Sequence, residues 1–491
     1  MLRRRLSGLG SGFSVLPVGA LAIGAMAVAA LAIAGVVVPV GRASAETLES
    51  ALVQAYQNNP TLNSQRASLR ATDEGVPQAL SGYRPRVTVT ATGGEQSLSS
   101  LTVSNPSRLP GTPATYFTQS GYNAPYGATA TISQTLFNGF QTANRTRQAE
   151  ATVLAARETL RSTEQTVLLN AATAYMNLLR DTAILDLQRR NVEVLQEQLR
   201  QTRDRFNVGE VTRTDVAQAE SSLAAGRSQV LTAQSNYATS QATYRQVIGT
   251  APGKLTPGTP VDRFSPPNLN GAFGLAIATH PSVTSAQYNI DTAQQAVKVA
   301  EGALYPTLSV QGSYQQQYMS ASSLNTLQTN AASILGTLSV PIYQGGAEYS
   351  LIRQAKETLG QRRLDFDSAR DQVRQGVAQS WGQLDAAKAN IEATTAQVQS
   401  AEIALNGIRE EARVGQRTTF DVLTAQQTLV NARVALVTAQ RDRVVASYAL
   451  LAAVGRLTPP VLGLSVPTYR PTVHYEQIRD SWAGVRTPDG R

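Results

Sequence analysis

Two Thr-x-x-Asp runs, Thr212 to Asp215 and Thr418 to Asp421, hold the acids best placed for chemistry, each starting three residues beyond a Val-Gly pair, Val208-Gly209 or Val414-Gly415. The spacing suits a helix start, where hydroxyl and carboxylate each satisfy a backbone N–H and the negative charge complements the helix dipole. Catalysis has no comparable candidate. The chain has no Cys and two His, which excludes disulfides, thiolate metal sites, a Cys nucleophile and a lipid anchor on Cys. His280 precedes Pro281 and reads as a cap residue, while His474 falls in what reads as a flexible tail. No catalytic, cofactor or metal site is expected, and so no enzyme.

The elements that carry these acids occur twice. Leu136-Phe137-Asn138-Gly139 returns as Ile342-Tyr343-Gln344-Gly345, Asp215-Val216 as Asp421-Val422, and Ile248-Gly249 as Val454-Gly455, all at an offset of 206. A repeat of this length fixes the architecture before any single residue is interpreted. Upstream, Asn59-Pro60 and Arg84-Pro85 match His280-Pro281 and Tyr305-Pro306 at an offset of 221. The first copy therefore carries about 15 extra residues between about 86 and 134; with Pro106, Pro110 and Pro113 among Ser and Thr, they read as a long loop with a variable tip.

Within each copy a seven-residue period dominates. Ala171, Leu178, Leu185, Val192, Leu199 and Phe206 share one heptad position, and Val377, Leu384, Ile391, Val398, Leu405 and Ala412 share it in the second copy. That period specifies helices supercoiled left-handedly on their neighbours. The companion position holds Asp181, Gln188 and Thr202, then Ser380, Ala387 and Thr394, which suits lateral packing in a curved wall with one wetted side. Residues 141 to 206 contain no Pro and no Gly, so a single helix of about 66 residues, about 100 Å long, is expected. Gly209 ends it and a shorter return helix starts near Thr212; the second copy repeats this from about 347, turns at Gly415 and returns from 418 to 454. The Asn59-Pro60 and His280-Pro281 helices fill the other half of each return path.

Between them lie strand-like runs, with Val87, Val89 and Ala91 alternating with Thr88, Thr90 and Thr92, and Leu308 and Val310 alternating with Ser309 and Gln311. A third run, Leu338, Val340 and Ile342, alternates in the same way. Such alternation suits a barrel wall, apolar outside and wet inside, with Tyr83, Phe137, Tyr305 and Tyr343 as an aromatic girdle. A half-buried soluble sheet would show it too. Four strands cannot close a barrel, which needs about eight, so copies of the chain must pair edge to edge, and a pore wide enough for solutes asks for more than two.

Arg3 to Arg5, the apolar stretch Val15 to Val40 and Ala43-Ser44-Ala45 resemble an export signal over residues 1 to 45, with a retained membrane helix as the competing reading. Formal charge is +9 for the whole sequence, and the basic residues form no aromatic-interleaved patch of the kind nucleic acid requires.

Asn58-Asn59-Pro60, Gln134 to Gly139, Arg205 to Val216 and Arg413 to Leu423 together resemble the TolC family of outer-membrane efflux channels, in order and in both copies, over about 47 to 455. The resemblance implies a mainly α fold with β: duplicated long helical hairpins forming an α-barrel tunnel, plus four strands per chain in a trimeric twelve-stranded transmembrane barrel. Its domains would be the signal (1–45), a first repeat (46–249, strands about 86–134, hairpin about 141–249), a linker near mid-tunnel (250–272), a second repeat (273–455, strands about 307–342, hairpin about 347–454) and a tail (456–491). It implies a passive conduit in the outer membrane of a Gram-negative bacterium, serving efflux or type I secretion with a periplasmic adaptor and an inner-membrane transporter. Carried over by residue, Thr214 and Asp215 would face Arg417, Asp421 would form a threefold acidic ring, and the Val208-Gly209 and Val414-Gly415 turns would dock the adaptor. Ala412 stands where the family can place an aromatic hydroxyl and Thr424 where it can place a second acid. A coiled-coil adaptor or adhesin is the alternative, though one hairpin with compact β domains would be expected there.

Overall fold

A computed structural model describes residues 46–104, 115–319 and 328–490. The expected export signal and the tips of both strand-joining loops, including Asn105, lie outside the described residues.

Chain order gives α1 (Leu48–Asn58), α2 (Pro60–Asp73), α3 (Gly75–Leu80), β1 (Arg86–Gly93), β2 (Gln96–Ser104), β3 (Thr115–Asn123), β4 (Pro125–Asn138), α4 (Gln141–Asn207) and α5 (Arg213–Ile248). Then come α6 (Leu269–Thr279), α7 (Pro281–Glu301), β5 (Thr307–Met319), β6 (Gln328–Ser339), α8 (Ala347–Arg413), α9 (Thr419–Ala453), α10 (Pro459–Leu462) and α11 (Pro471–Ile478). Both long helices, α4 and α8, have 67 residues, about 100 Å of unbroken helix. Asn59 and His280 cap the helices that open with Pro60 and Pro281: Asn59 Oδ1 accepts the Thr61 and Leu62 N–H groups, and His280 Nδ1 accepts that of Ser282.

Four strands form one antiparallel sheet in the order β1-β4-β5-β6. Its register puts Val87, Ile132, Gly312 and Ile334 in one cross-strand row and Thr88, Thr131, Ser313 and Ser333 in the next. One face is therefore apolar and the other hydroxylic, with Ser313 and Ser333 hydrogen-bonded at 2.8 Å. Strands β4, β5 and β6, of 14, 13 and 12 residues, exceed the roughly 9 to 11 that a tilted membrane-crossing strand needs, and β1, with 8, falls just short. Among the described residues no helix is long and apolar enough to cross a membrane.

Two expectations need correction here. The extra residues of the first copy are not simply a loop: β2 and β3 pair into a two-stranded ribbon prolonging the β1-β4 hairpin, because Leu101-Thr102-Val103 and Tyr116-Phe117-Thr118 alternate as strands do, and proline is confined to the tip. The run through Val340 and Ile342 also stops short. β6 ends at Ser339, and Pro341, which lacks an N–H, cannot extend the ladder.

The largest apolar core lies midway along the helices, where Leu52, Leu62, Leu69, Leu168, Tyr175, Leu178, Tyr244, Ile248 and Leu451 are buried together. Heptad residues Ala171, Leu178, Leu185 and Leu199 are buried on α4, and so are the polar Asp181, Gln188 and Thr202 of the companion position. Asp181 is satisfied by Arg180 Nε at 2.8 Å and by the Ser240 hydroxyl. The linker packs against this core, with Glu46 held by the Tyr244 hydroxyl at 2.6 Å and the Gly253 N–H at 3.0 Å.

The tail also departs from expectation. Instead of a flexible His474, α11 buries it, with Nδ1 3.1 Å from Asp73 Oδ2; burial raises the Asp73 carboxyl, and His474 partly offsets this. Arg66 lies over the rings of Tyr56 and Tyr469, Arg157 over Tyr475 and Arg84 over Trp482. The contacts to Tyr469, Tyr475 and Trp482 hold the tail in place.

Candidate functional site: the two hairpin tips

Each tip is built by the same local chemistry. α4 runs out at Asn207 and Gly209 adopts φ 82, where the Glu210 N–H reaches back to the Arg205 carbonyl at 2.9 Å. Gly415 adopts φ 84, and the Gln416 N–H reaches the Glu411 carbonyl at 2.9 Å. A Cβ at either glycine would meet nothing within 4 Å, so the left-handed backbone, not space, calls for glycine.

The return helices begin with the caps expected from their spacing. Thr212 donates from N and Oγ1 to Asp215 Oδ2 at 3.0 and 2.6 Å, and the Asp215 N–H reaches Thr212 Oγ1 at 3.4 Å. Thr418 and Asp421 repeat this at 3.0, 2.9 and 3.3 Å. The Thr212 hydroxyl and N–H, with Arg205 behind them, hold the Asp215 carboxyl below the usual aspartate range. For Asp421 the Thr418 N–H leads, then its hydroxyl, then Arg417. Both acids are thus anions that cap helices, and this leaves a gating role open.

Arg417 does not meet Thr214 or Asp215 within the chain. Its Nε donates to Glu411 Oε2 at 2.8 Å, and that bond raises the guanidinium pKa. The first tip holds a matching pair, Arg205 Nη2 to Glu210 Oε1 at 2.7 Å. Sequence reading missed both pairs, although opposite charges five or six residues apart across a Val-Gly turn are a usable signal. A cleft of about 730 Å³ separates the two hairpins here, lined by Glu197, Arg205, Arg409, Glu410 and Arg413, with Ala412 on its wall. At the opposite end, Tyr83, Tyr305 and Tyr343 are exposed beside the sheet, and Phe137 packs edge-on against Phe140 at 5.3 Å.

The model of the outer membrane efflux protein family matches residues 51–250 and 272–456, one block for each copy of the repeat. The chain belongs to that family. It is 42% identical to the outer membrane efflux protein BepC of Brucella suis over 463 residues, covering 93% of this chain and 96% of BepC. With the outer membrane protein TolC of Escherichia coli it shares 28% identity over 438 residues, 84% of this chain and 83% of TolC. Among solved structures, the CmeC outer membrane channel of Campylobacter jejuni superposes with a TM-score of 0.71 at 17% identity, over 88% of this chain and 89% of CmeC. That last likeness concerns the fold alone. This efflux protein is an outer-membrane channel of the kind that works within efflux or secretion systems, and its family is one of channels, not enzymes. Two hairpins and a four-stranded sheet give no support to a single-hairpin adaptor or an adhesin.

Proposed function

We propose that three copies of this efflux protein close into a twelve-stranded barrel continued by a helical tunnel, forming a passive conduit fed by an inner-membrane transporter through a periplasmic adaptor. The observation that carries this is the pair of open sheet edges: among the described residues β1 and β6 each pair with one strand only, and a barrel removes such edges by pairing them. Each repeat, 46–249 and 273–455, contributes a strand pair and a hairpin, joined by the 250–272 linker near mid-tunnel and followed by the 456–491 tail. The Val208-Gly209 and Val414-Gly415 turns are the adaptor-docking points, at the ends of the hairpins farthest from the sheet. The gate is formed where Thr214 and Asp215 of one hairpin meet Arg417 of another, with Asp421 as the acidic ring around the axis. Reconstitution into a planar bilayer, with the mass of the detergent-solubilised particle, tests the reading: discrete conductance from a particle of three chains is expected, and a non-conducting particle or a monomer would overturn it.

A further inference from the structure

Glu411 stands where a helix disfavours an acid. It occupies the last turn of α8, which ends at Arg413, so its carboxylate faces the negative end of the helix dipole. The corresponding residue in the first copy, 206 positions earlier, is Arg205, a charge the same site favours. The partner is reversed as well: Arg205 pairs with Glu210 in its turn, while Glu411 pairs with Arg417, whose counterpart in the first copy is Val211. The contact with Glu411 is made from the side of the guanidinium, through Nε. Among the described residues no hydrogen bond engages the two Nη groups of Arg417, the fork that matches a carboxylate. On the other side, both Thr212 bonds to the Asp215 carboxylate go to Oδ2, and Oδ1 accepts none among the described residues.

We propose that Glu411 is a positioning residue of the gate: it pins the Nε edge of Arg417 so that the free fork is presented to Asp215 of the facing hairpin. The proposal rests on the gate reading given above. Arg417 then keeps one acid in both states, and closing adds a second acid to an arginine already oriented. The unfavourable place of Glu411 on its own helix follows from this duty, since only from the last turn of α8 does it reach back beneath the turn residue.

Single-channel recordings of assembled trimers, at about 1 M salt so that the screening length falls to about 3 Å, separate the possibilities. Glu411→Gln should raise the open-state occupancy about two- to fivefold, the range over which an exposed pair shifts a two-state equilibrium, leaving cation selectivity unchanged. In an Arg417→Ser background it should add nothing. The exchange Glu411→Arg with Arg417→Glu restores the pair within the tip but not the latch, so this variant should assemble and still conduct like Arg417→Ser. Parental conductance from the exchanged variant would reduce Glu411 to a stabiliser of the turn. A fall in conductance for Glu411→Gln would make it a competitor of the latch, and a change in selectivity alone would make it a mouth charge; either overturns the proposal. Parental conductance of Arg417→Ser itself would instead overturn the gate reading.

Discussion

Helices α4 and α8 are copies of one another with 67 residues each, yet the chain surrounds them differently. α4 packs against α1, α2, α3, α5, α7 and α9. α8 meets α6, α7 and α9, and its remaining flank faces solvent. Leu351, Leu364 and Ile403 are exposed on α8, Leu364 by 72%. Gly360, Gly376, Gly382 and Gly407 also lie on it, where an added Cβ would meet nothing within 4 Å. Glycine in a helix costs roughly 0.5–1 kcal/mol relative to alanine, so four of them with no close neighbour in the chain make sense where another chain approaches. The difference teaches that a heptad period reports a helix's total set of neighbours, without saying which of them belong to the same polypeptide.

The comparison is tested most severely by charge on the two seams. Leu178→Asp, at a buried α4 position 2% exposed, should prevent folding of the chain itself; the milder Leu178→Ala should cost about 2–5 kcal/mol in denaturant unfolding followed by circular dichroism. Leu364→Asp should leave the helicity of the single chain intact while abolishing the proposed trimer, read from the mass of the detergent-solubilised particle. If Leu364→Asp assembles normally, the free flank of α8 is not the intermolecular seam.

A smaller effect is expected at the tips, where both copies share a Val-Gly turn and a Thr-x-x-Asp cap. A β-branched residue at Gly415 meets no steric clash but must adopt φ 84, a strain of about 1–2 kcal/mol. The trimer should still form while export and adaptor crosslinking are lost, and retained transport in an assembled mutant would argue against docking there. Arg417→Ser should raise single-channel conductance, whereas Asp421→Asn should leave the aperture alone and reduce cation preference and block by multivalent cations. Similar behaviour of the two variants would show that these side chains only finish their helices.

The smallest effect concerns pH. Asp215 and Asp421 are held below the ordinary aspartate pKa in the folded chain. Their contribution is therefore complete above the unfolded value of about 3.9 and is lost as pH falls through the folded one. Thermal melts below about pH 4 should show a slight drop that shrinks in the Asp215→Asn and Asp421→Asn variants.

The helices were legible because their evidence is local. An unbroken heptad, a Val-Gly turn and a Thr-x-x-Asp cap each name their structure within a few residues. So did part of the sheet, where Thr88 alternates with Val87 and Val89 and Ser309 with Leu308 and Val310; the matching alternation around Thr131 on β4 and Ser333 on β6 was not read. The tail was illegible because what holds it is distant in sequence: Tyr469 meets Arg66, and His474 meets Asp73, pairings that no window along the chain contains. The partner of Arg417 was missed for another reason. Family likeness directs attention to what lies across the interface, and Glu411, on the same tip, was passed over.

The tail makes two similar halves distinguishable from outside. Arg70 pairs with Asp489 at 3.4 Å, Glu150 with Arg479 at 3.6 Å, and Arg84 reaches the Ser481 carbonyl at 2.6 Å, all on α2, α4 and the segment before β1. The described tail makes no such bond to α7 or α8. Duplication gave this chain two nearly equivalent faces, and the tail marks one of them. In the proposed tube, a partner on the outer wall would meet one padded stave and one bare stave per chain, so its rotational phase could be read from a tail that adds no strand to the sheet.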